Sequence, residues 1–231
     1  MKSEPLDWPK AVVFDLDGTL IDSAPDIAHA LNRAAEKRGI EPFDLEQVKE
    51  MICGGVPQLI KRALTARGLP VEGVMPLVEE FIALYREELT TRTKVYDGGR
   101  ELLEELQREG RRLGLCTNKN HELTIEILQQ LDLIKYFGSV LGEREGRARK
   151  PDPAPMLEVV AELGAFPKDA LMAGDSEADV ACARAAGMPV LVVDFGYSRT
   201  APEALGADAV ISRLSELPQL FSSLKPQSRF A

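Results

Sequence analysis

Six short apolar runs, each no longer than a strand, are spread along this chain of 231 residues: Ala11–Asp15, Arg112–Thr117, Ser139–Leu141, Ala170–Gly174, Pro189–Asp194 and Ala209–Ile211. A run that is apolar on both faces belongs to a strand covered from both sides. Helical patterns lie between the runs. Leu102, Leu103 and Leu106 share one stripe of Glu101–Glu109, and Leu123, Ile127, Leu128 and Leu131 recur at helical spacing, as do Leu157, Val160, Ala161 and Leu163. Buried strands alternating with amphipathic helices predict an α/β fold with a doubly wound, mostly parallel, Rossmann-like sheet. In such sheets chemistry gathers outside the carboxyl ends of the strands.

The stretch from Ala24 to Thr93 breaks this alternation. Ile27-Ala28, Leu31, Ala34-Ala35, Leu59-Ile60, Ala63-Leu64, Leu77-Val78, Phe81-Ile82 and Leu84-Tyr85 read as helices punctuated by glycines, with no convincing strand inside. The chain is therefore expected to divide into an α/β core domain, residues 1–22 and 95–231, and an inserted α-helical module, residues 23–94.

Composition narrows the function classes. Hydrophobic residues at 45% and charged ones at 28% suffice for a core and exclude a disordered chain or a disulfide miniprotein. No apolar run approaches the length of a membrane span, so no membrane partner is expected. Met1–Pro5 lacks the apolar segment of a signal peptide, and Cys53, Cys116 and Cys182 form no C-x-x-C pair; both predict a reducing, cytoplasmic location. Asp and Glu outnumber Lys and Arg 37 to 28, a net charge of −9, which offers no basic face to nucleic acid. That charge would also repel anionic substrates at long range, so a phosphate ester must be held locally, by a metal ion, a lysine and oriented amides.

The motifs sit at strand ends. Asp15-Leu16-Asp17-Gly18-Thr19-Leu20 follows the first run, and strand alternation points the Asp15 and Asp17 side chains the same way. Two such carboxylates suit Mg²⁺, or a nucleophile beside an acid/base; Asp, Gly and Thr also form ordinary turns, and the pattern alone leaves both readings open. Thr117-Asn118 closes the second run and offers a hydroxyl and amides at what reads as a helix start, a natural anion site. Lys150-Pro151-Asp152-Pro153 follows the third run after a loop, and Gly174-Asp175-Ser176-Glu177-Ala178-Asp179 closes the fourth. A parallel sheet would bring Asp15, Thr117, Lys150 and Asp175 to one edge.

With these four motifs in order, the chain resembles the haloacid dehalogenase superfamily of phosphohydrolases. The resemblance covers nearly the whole chain, the helical insert being similar to the family's cap domain. Within the superfamily it is most similar to bacterial phosphoglycolate phosphatases, through V-V-F-D-L-D-G-T-L-I-D-S-A-P-D at 12–26, Y-D-G-G at 96–99, K-P-D-P-A-P at 150–155 and D-F-G-Y at 194–197. The resemblance implies a Mg²⁺-dependent phosphatase for a small phosphate monoester, 2-phosphoglycolate first among candidates. It implies Asp15 as the nucleophile forming an aspartyl-phosphate, Asp17 as acid/base, Thr117 and the Asn118 amide holding the phosphoryl oxygens, and Lys150 neutralising charge. Mg²⁺ would be held by the Asp15 carboxylate, the Asp17 backbone carbonyl and Asp175, with Asp179 beside the metal or behind it. The dehalogenase branch lacks the second aspartate, so Asp17 disfavours halide chemistry. Alternatives within the same chemistry are a phosphatase or phosphomutase for another sugar phosphate, nucleotide or pyrophosphate; a non-catalytic interaction protein on this fold is the alternative outside it.

The resemblance implies substrate selection by the cap. Gly54-Gly55 before the Val56–Ala66 helix would present free amides to an anion, and Lys61 and Arg62 are the nearest cations in sequence, although both also fit a solvated helix face. Ser176 and Glu177 read as helix caps, His29 and His121 as structural residues without partner acids, Cys116 as core, and Trp8 as the anchor of the N-terminal arm. Glu143–Lys150 reads as a solvated loop that is functional only at its end. A monomer or a homodimer fits this reading.

Overall fold

The computed structural model describes residues 7–225. Met1–Pro5, read above for a leader, lies outside the described residues. In chain order the elements are β1 (Ala11–Phe14), β2 (Ile21–Asp22), α1 (Ala24–Glu36), α2 (Leu45–Ile52), α3 (Val56–Ala66), α4 (Met75–Glu87), β3 (Lys94–Val95), α5 (Gly99–Arg108), β4 (Arg112–Asn120), α6 (His121–Gln130), β5 (Ser139–Glu143), α7 (Ala154–Glu162), β6 (Ala170–Gly174), α8 (Glu177–Ala185), β7 (Val190–Val193), β8 (Ala209–Ile211) and α9 (Phe221–Leu224). Six strands form one sheet in the order β5-β4-β1-β6-β7-β8, every pair parallel.

Alternation along β1 explains the layering. Val12 and Phe14 belong to one apolar cluster, with Leu103 and Leu106 of α5 and Ile127 of α6, while Ala11 and Val13 belong to a second, with Met156 and Val159 of α7 and Val180 of α8. Both faces being covered, all four β1 residues are fully buried. Each large apolar side chain so placed contributes about 1.5–3 kcal/mol. Gly114 lets α7 approach β4 closely, because a Cβ there would lie 2.5 Å from Val159 Cγ1.

Helices α1 to α4 lie between β2 and β3, which pair antiparallel, Ile21 with Val95 and Asp22 with Lys94. The sequence pattern shows no strand at either place. Two-residue strands carry no periodicity, and their pairing depends on where the chain leaves and re-enters the sheet domain. Trp8 is buried edge-on against Phe221 and donates from its indole Nε1 to Lys168 O at 3.0 Å, which fixes the N-terminal arm. Among the described residues no helix is long and apolar enough to cross a membrane.

Candidate active site

Because β1 lies between β4 and β6, the residues that follow these strands converge. Asp15 comes directly after β1, Asp175 directly after β6, and Thr117 lies on β4. Lys150 returns from the loop after β5, and Asn118 fastens it by donating from Nδ2 to Lys150 O at 2.9 Å. All of these residues line one cavity of about 110 Å³.

The Lys150 ammonium is buried, 2.8 Å from Cys116 O, 2.5 Å from Asp179 Oδ1 and 3.0 Å from Asp15 Oδ1. Burial alone would pull its pKa down; the charges of Asp15 and Asp179 hold it above the ordinary lysine value. Asp15 responds in the opposite sense. Burial, assisted by the charge of Asp179, pushes its carboxyl up to about 6 against the pull of Lys150. Its Oδ1 is buried and accepts no hydrogen bond, although the Lys150 ammonium lies 3.0 Å away. Asp175 is raised well above the carboxylate range by burial and by the charges of Asp179 and Asp15, although the Tyr197 amide donates to its Oδ2 at 2.6 Å.

One carboxylate oxygen each of Asp15, Asp175 and Asp179 lies within 4.8 Å of the others. Asp179 is already engaged: its Oδ2 accepts from the Asp175 amide at 3.2 Å, the Ser176 amide at 3.1 Å and the Ser176 hydroxyl at 2.6 Å, and its Oδ1 from Lys150. Asp15 and Asp175 remain free to face an ion. An oxygen-only set containing an orphaned, buried carboxylate oxygen fits a hard divalent cation such as Mg²⁺. A Cβ at Gly18 or Gly196 would overlap the Asp175 carboxylate, so backbone wraps this group closely.

Asp17 is gripped from two sides. Its Oδ1 accepts from the Ser23 hydroxyl, at the entry to α1, at 2.5 Å. Lys119 Nζ lies 3.1 and 3.0 Å from its two oxygens and also donates to Tyr85 Oη of α4 at 3.0 Å. Sequence reasoning missed Lys119, Ser23 and Tyr85. It ends the second run at Thr117, whereas β4 continues to Asn120 and α6 begins only at His121, with the Asn120 side chain accepting from the Leu123 amide at 3.1 Å. Thr117-Asn118 is therefore strand and not a helix start.

The helical segment supplies the opposite wall of the cavity, through Ile27, Gly54, Gly55, Leu59, Phe81 and Tyr85 among others. Gly54 and Gly55 have φ of 102° and 83°, a backbone region that favours glycine. Arg62 does not join them. Its guanidinium donates to the carbonyls of Met51 and Cys53, tying down the end of α2, and Lys61 is exposed.

The remaining residues are accounted for locally. Ser176 caps α8, reciprocally with Asp179. His29 does have an acidic neighbour, Glu88 at 3.5 Å, and His121 Nδ1 accepts from the Gly142 amide at 3.2 Å. Burial pushes the Cys116 thiol up to about 12, which leaves it unreactive. Tyr197, quoted above within D-F-G-Y, joins the site to the entry of the helical segment: its hydroxyl donates to Asp22 Oδ1 at 2.6 Å and accepts from the Ala24 amide at 3.1 Å.

Residues 12–193 match the model of the haloacid dehalogenase-like hydrolase family. A phosphoglycolate phosphatase of Cereibacter sphaeroides is 40% identical over 215 residues, covering 92% of this chain and 98% of the relative. One from Chromobacterium violaceum is 38% identical over 219 residues, covering 93% and 97%. The crystal structure of a predicted phosphoglycolate phosphatase from Haemophilus somnus superposes with a TM-score of 0.86 at 28% identity, covering 91% of this chain and 97% of that one.

Proposed function

The chain belongs to the haloacid dehalogenase-like hydrolase family, and we propose that this phosphoric monoester hydrolase converts 2-phosphoglycolate to glycolate and phosphate. The relatives named phosphoglycolate phosphatase over most of the chain support the substrate. The observation that carries the mechanism is Asp15 Oδ1, buried, free of hydrogen bonds and 3.0 Å from the Lys150 ammonium on the cavity wall.

In this reading Asp15 attacks phosphorus, the ester P–O bond breaks, and Asp17 gives the departing glycolate oxygen its proton. Water then attacks the aspartyl-phosphate, Asp17 takes up its proton, and phosphate leaves with Asp15 regenerated. The Thr117 hydroxyl and the Asn118 amide hold phosphoryl oxygens, while Lys150 offsets the charge between carboxylate and phosphate. Asp179 acts through Lys150. The Asp15 and Asp175 carboxylates and the Asp17 carbonyl would hold Mg²⁺, which when bound shields the negative charge of nucleophile and phosphate from each other. Residues 23–94 serve as the cap that takes part in substrate selection, and with Cys53, Cys116 and Cys182 all unpaired a reducing cytoplasm suits the protein.

Phosphate release from 2-phosphoglycolate and a panel of small esters, each with Mg²⁺ or EDTA, tests this reading beside Asp15→Asn. We expect 2-phosphoglycolate to lead by kcat/KM and both EDTA and the substitution to abolish turnover. Another ester in the lead would remove the substrate name and keep the chemistry; no release from any ester would remove both.

A further inference from the structure

We propose that Lys119 selects the leaving group, its ammonium pairing with a compact anion one carbon away from the scissile ester oxygen, as in the carboxylate of 2-phosphoglycolate. The inference rests on the phosphatase reading above and deepens it. Lys119 and Lys150 are the only lysine or arginine side chains among the described residues lining the cavity. Lys150 is committed to the phosphoryl side by Asp15, Asp179 and Cys116 O. Lys119 is on the other side, 3.0 Å from the Asp17 carboxylate that would touch the ester oxygen.

No other cationic side chain competes for the anion. Arg62 is turned to the Met51 and Cys53 carbonyls, and Arg149 to Glu143 at 2.9 Å and Gly54 O at 3.2 Å. The facing wall carries Gly54 and Gly55, whose backbone amides bear no charge, and Ile27, Leu59 and Phe81, whose side chains offer an anion nothing. Tyr85 is the exception, and its hydroxyl is bonded to Lys119 itself, at 3.0 Å. The ammonium is thus almost wholly buried, its partners being one carboxylate from the sheet and one phenol from α4. A substrate anion entering here exchanges water for a charge-assisted bond in a low-dielectric site, where such bonds are strongest. Because Lys119 also touches Asp17, the anion must be short-tethered. A carboxylate one carbon from the ester oxygen meets that limit; a sugar ring interposed between the two does not.

A purely structural lysine predicts a different outcome. If Lys119 only holds Asp17 in place, its loss slows every ester by the same factor. If it reads the substrate, the loss falls on esters that bear the anion. The experiment is kcat/KM for 2-phosphoglycolate and for ethyl phosphate, the same skeleton with methyl in place of carboxylate, in wild type, Lys119→Met and Lys119→Gln. The ratio of the two substrates on one preparation is independent of the fraction folded, and Gln keeps a donor for Asp17 should Met disturb the fold. We expect the wild-type ratio to favour 2-phosphoglycolate and to fall by about 10² in both variants, the scale of one lost charge-assisted bond in a buried site. A ratio preserved in the variants overturns this inference and leaves the substrate reading standing. A wild type that prefers ethyl phosphate, or hydrolyses neither, overturns the substrate reading and this inference with it.

Discussion

Asp15 is held in a state its surroundings disfavour. Burial and the charge of Asp179 raise its carboxyl from 3.8 to about 6, so its ionised form at neutral pH costs the folded protein about 3 kcal/mol relative to the unfolded chain. Asparagine has the same shape without the charge. Metal-free Asp15→Asn should therefore melt several degrees above metal-free wild type at pH 7.5, while its phosphatase activity is lost; thermal unfolding in EDTA measures this, and an equal or lower Tm would refute it. Asp15, Asp17, Lys150 and Asp175 are legible in the sequence because each is part of a short motif that follows an apolar run, directly or, for Lys150, after a loop. Lys119 and Tyr85 are not. The strand carrying Lys119 runs on to Asn120, past the apolar run that marks it, and Tyr85 reads as one more apolar position of an amphipathic helix. The resemblance puts Asp179 beside an implied metal or behind it, and its four donors show that it serves Lys150 and the turn.

Elements transmit order into the site through a few buried polar joints. Asp26, in the first turn of α1, is fully buried, and its carboxylate accepts from the Thr93 amide and hydroxyl, both at 2.7 Å, and from the Arg92 amide at 2.9 Å. This joint closes the helical segment where it re-enters the sheet domain, one residue before β3. Asp26→Asn can keep an oxygen on those three donors only by turning its NH₂ group to the Arg92 guanidinium, which lies 3.2 Å from Oδ1, so an ion pair gives way to two opposed donors at a cost of about 2 kcal/mol. A lowered urea midpoint with an unchanged m-value checks it; a midpoint within error of wild type would mean that water or rearrangement satisfies the donors. The sheet and its flanking helices are readable because their apolar periodicities are long and both faces are covered. The Asp26 joint and the β2–β3 ribbon are not, since each depends on residues some seventy positions apart meeting at one point.

At the scale of the whole molecule the site is a charge problem that the sheet edge sets and a bound cation would relieve. Asp15 at about 6 and Asp175 well above its usual value both mark carboxylates whose ionisation costs the folded protein stability unless a cation offsets it. The direction follows from linkage. A carboxyl raised on folding contributes stability that is fully present below its unfolded value near 3.8 and is lost as pH rises through about 6. A cation that binds the folded, deprotonated pair restores what is lost, and competes with protons below that pH. The Tm gained on adding Mg²⁺ should therefore be small at pH 5 and grow steadily towards pH 8, while Asp175→Asn flattens the dependence. Carboxylates elsewhere on this acidic chain act equally with and without Mg²⁺, so the difference between the two melting curves isolates the site. A gain that is the same at pH 5 and pH 8 would mean the ion stabilises the protein somewhere other than between Asp15 and Asp175.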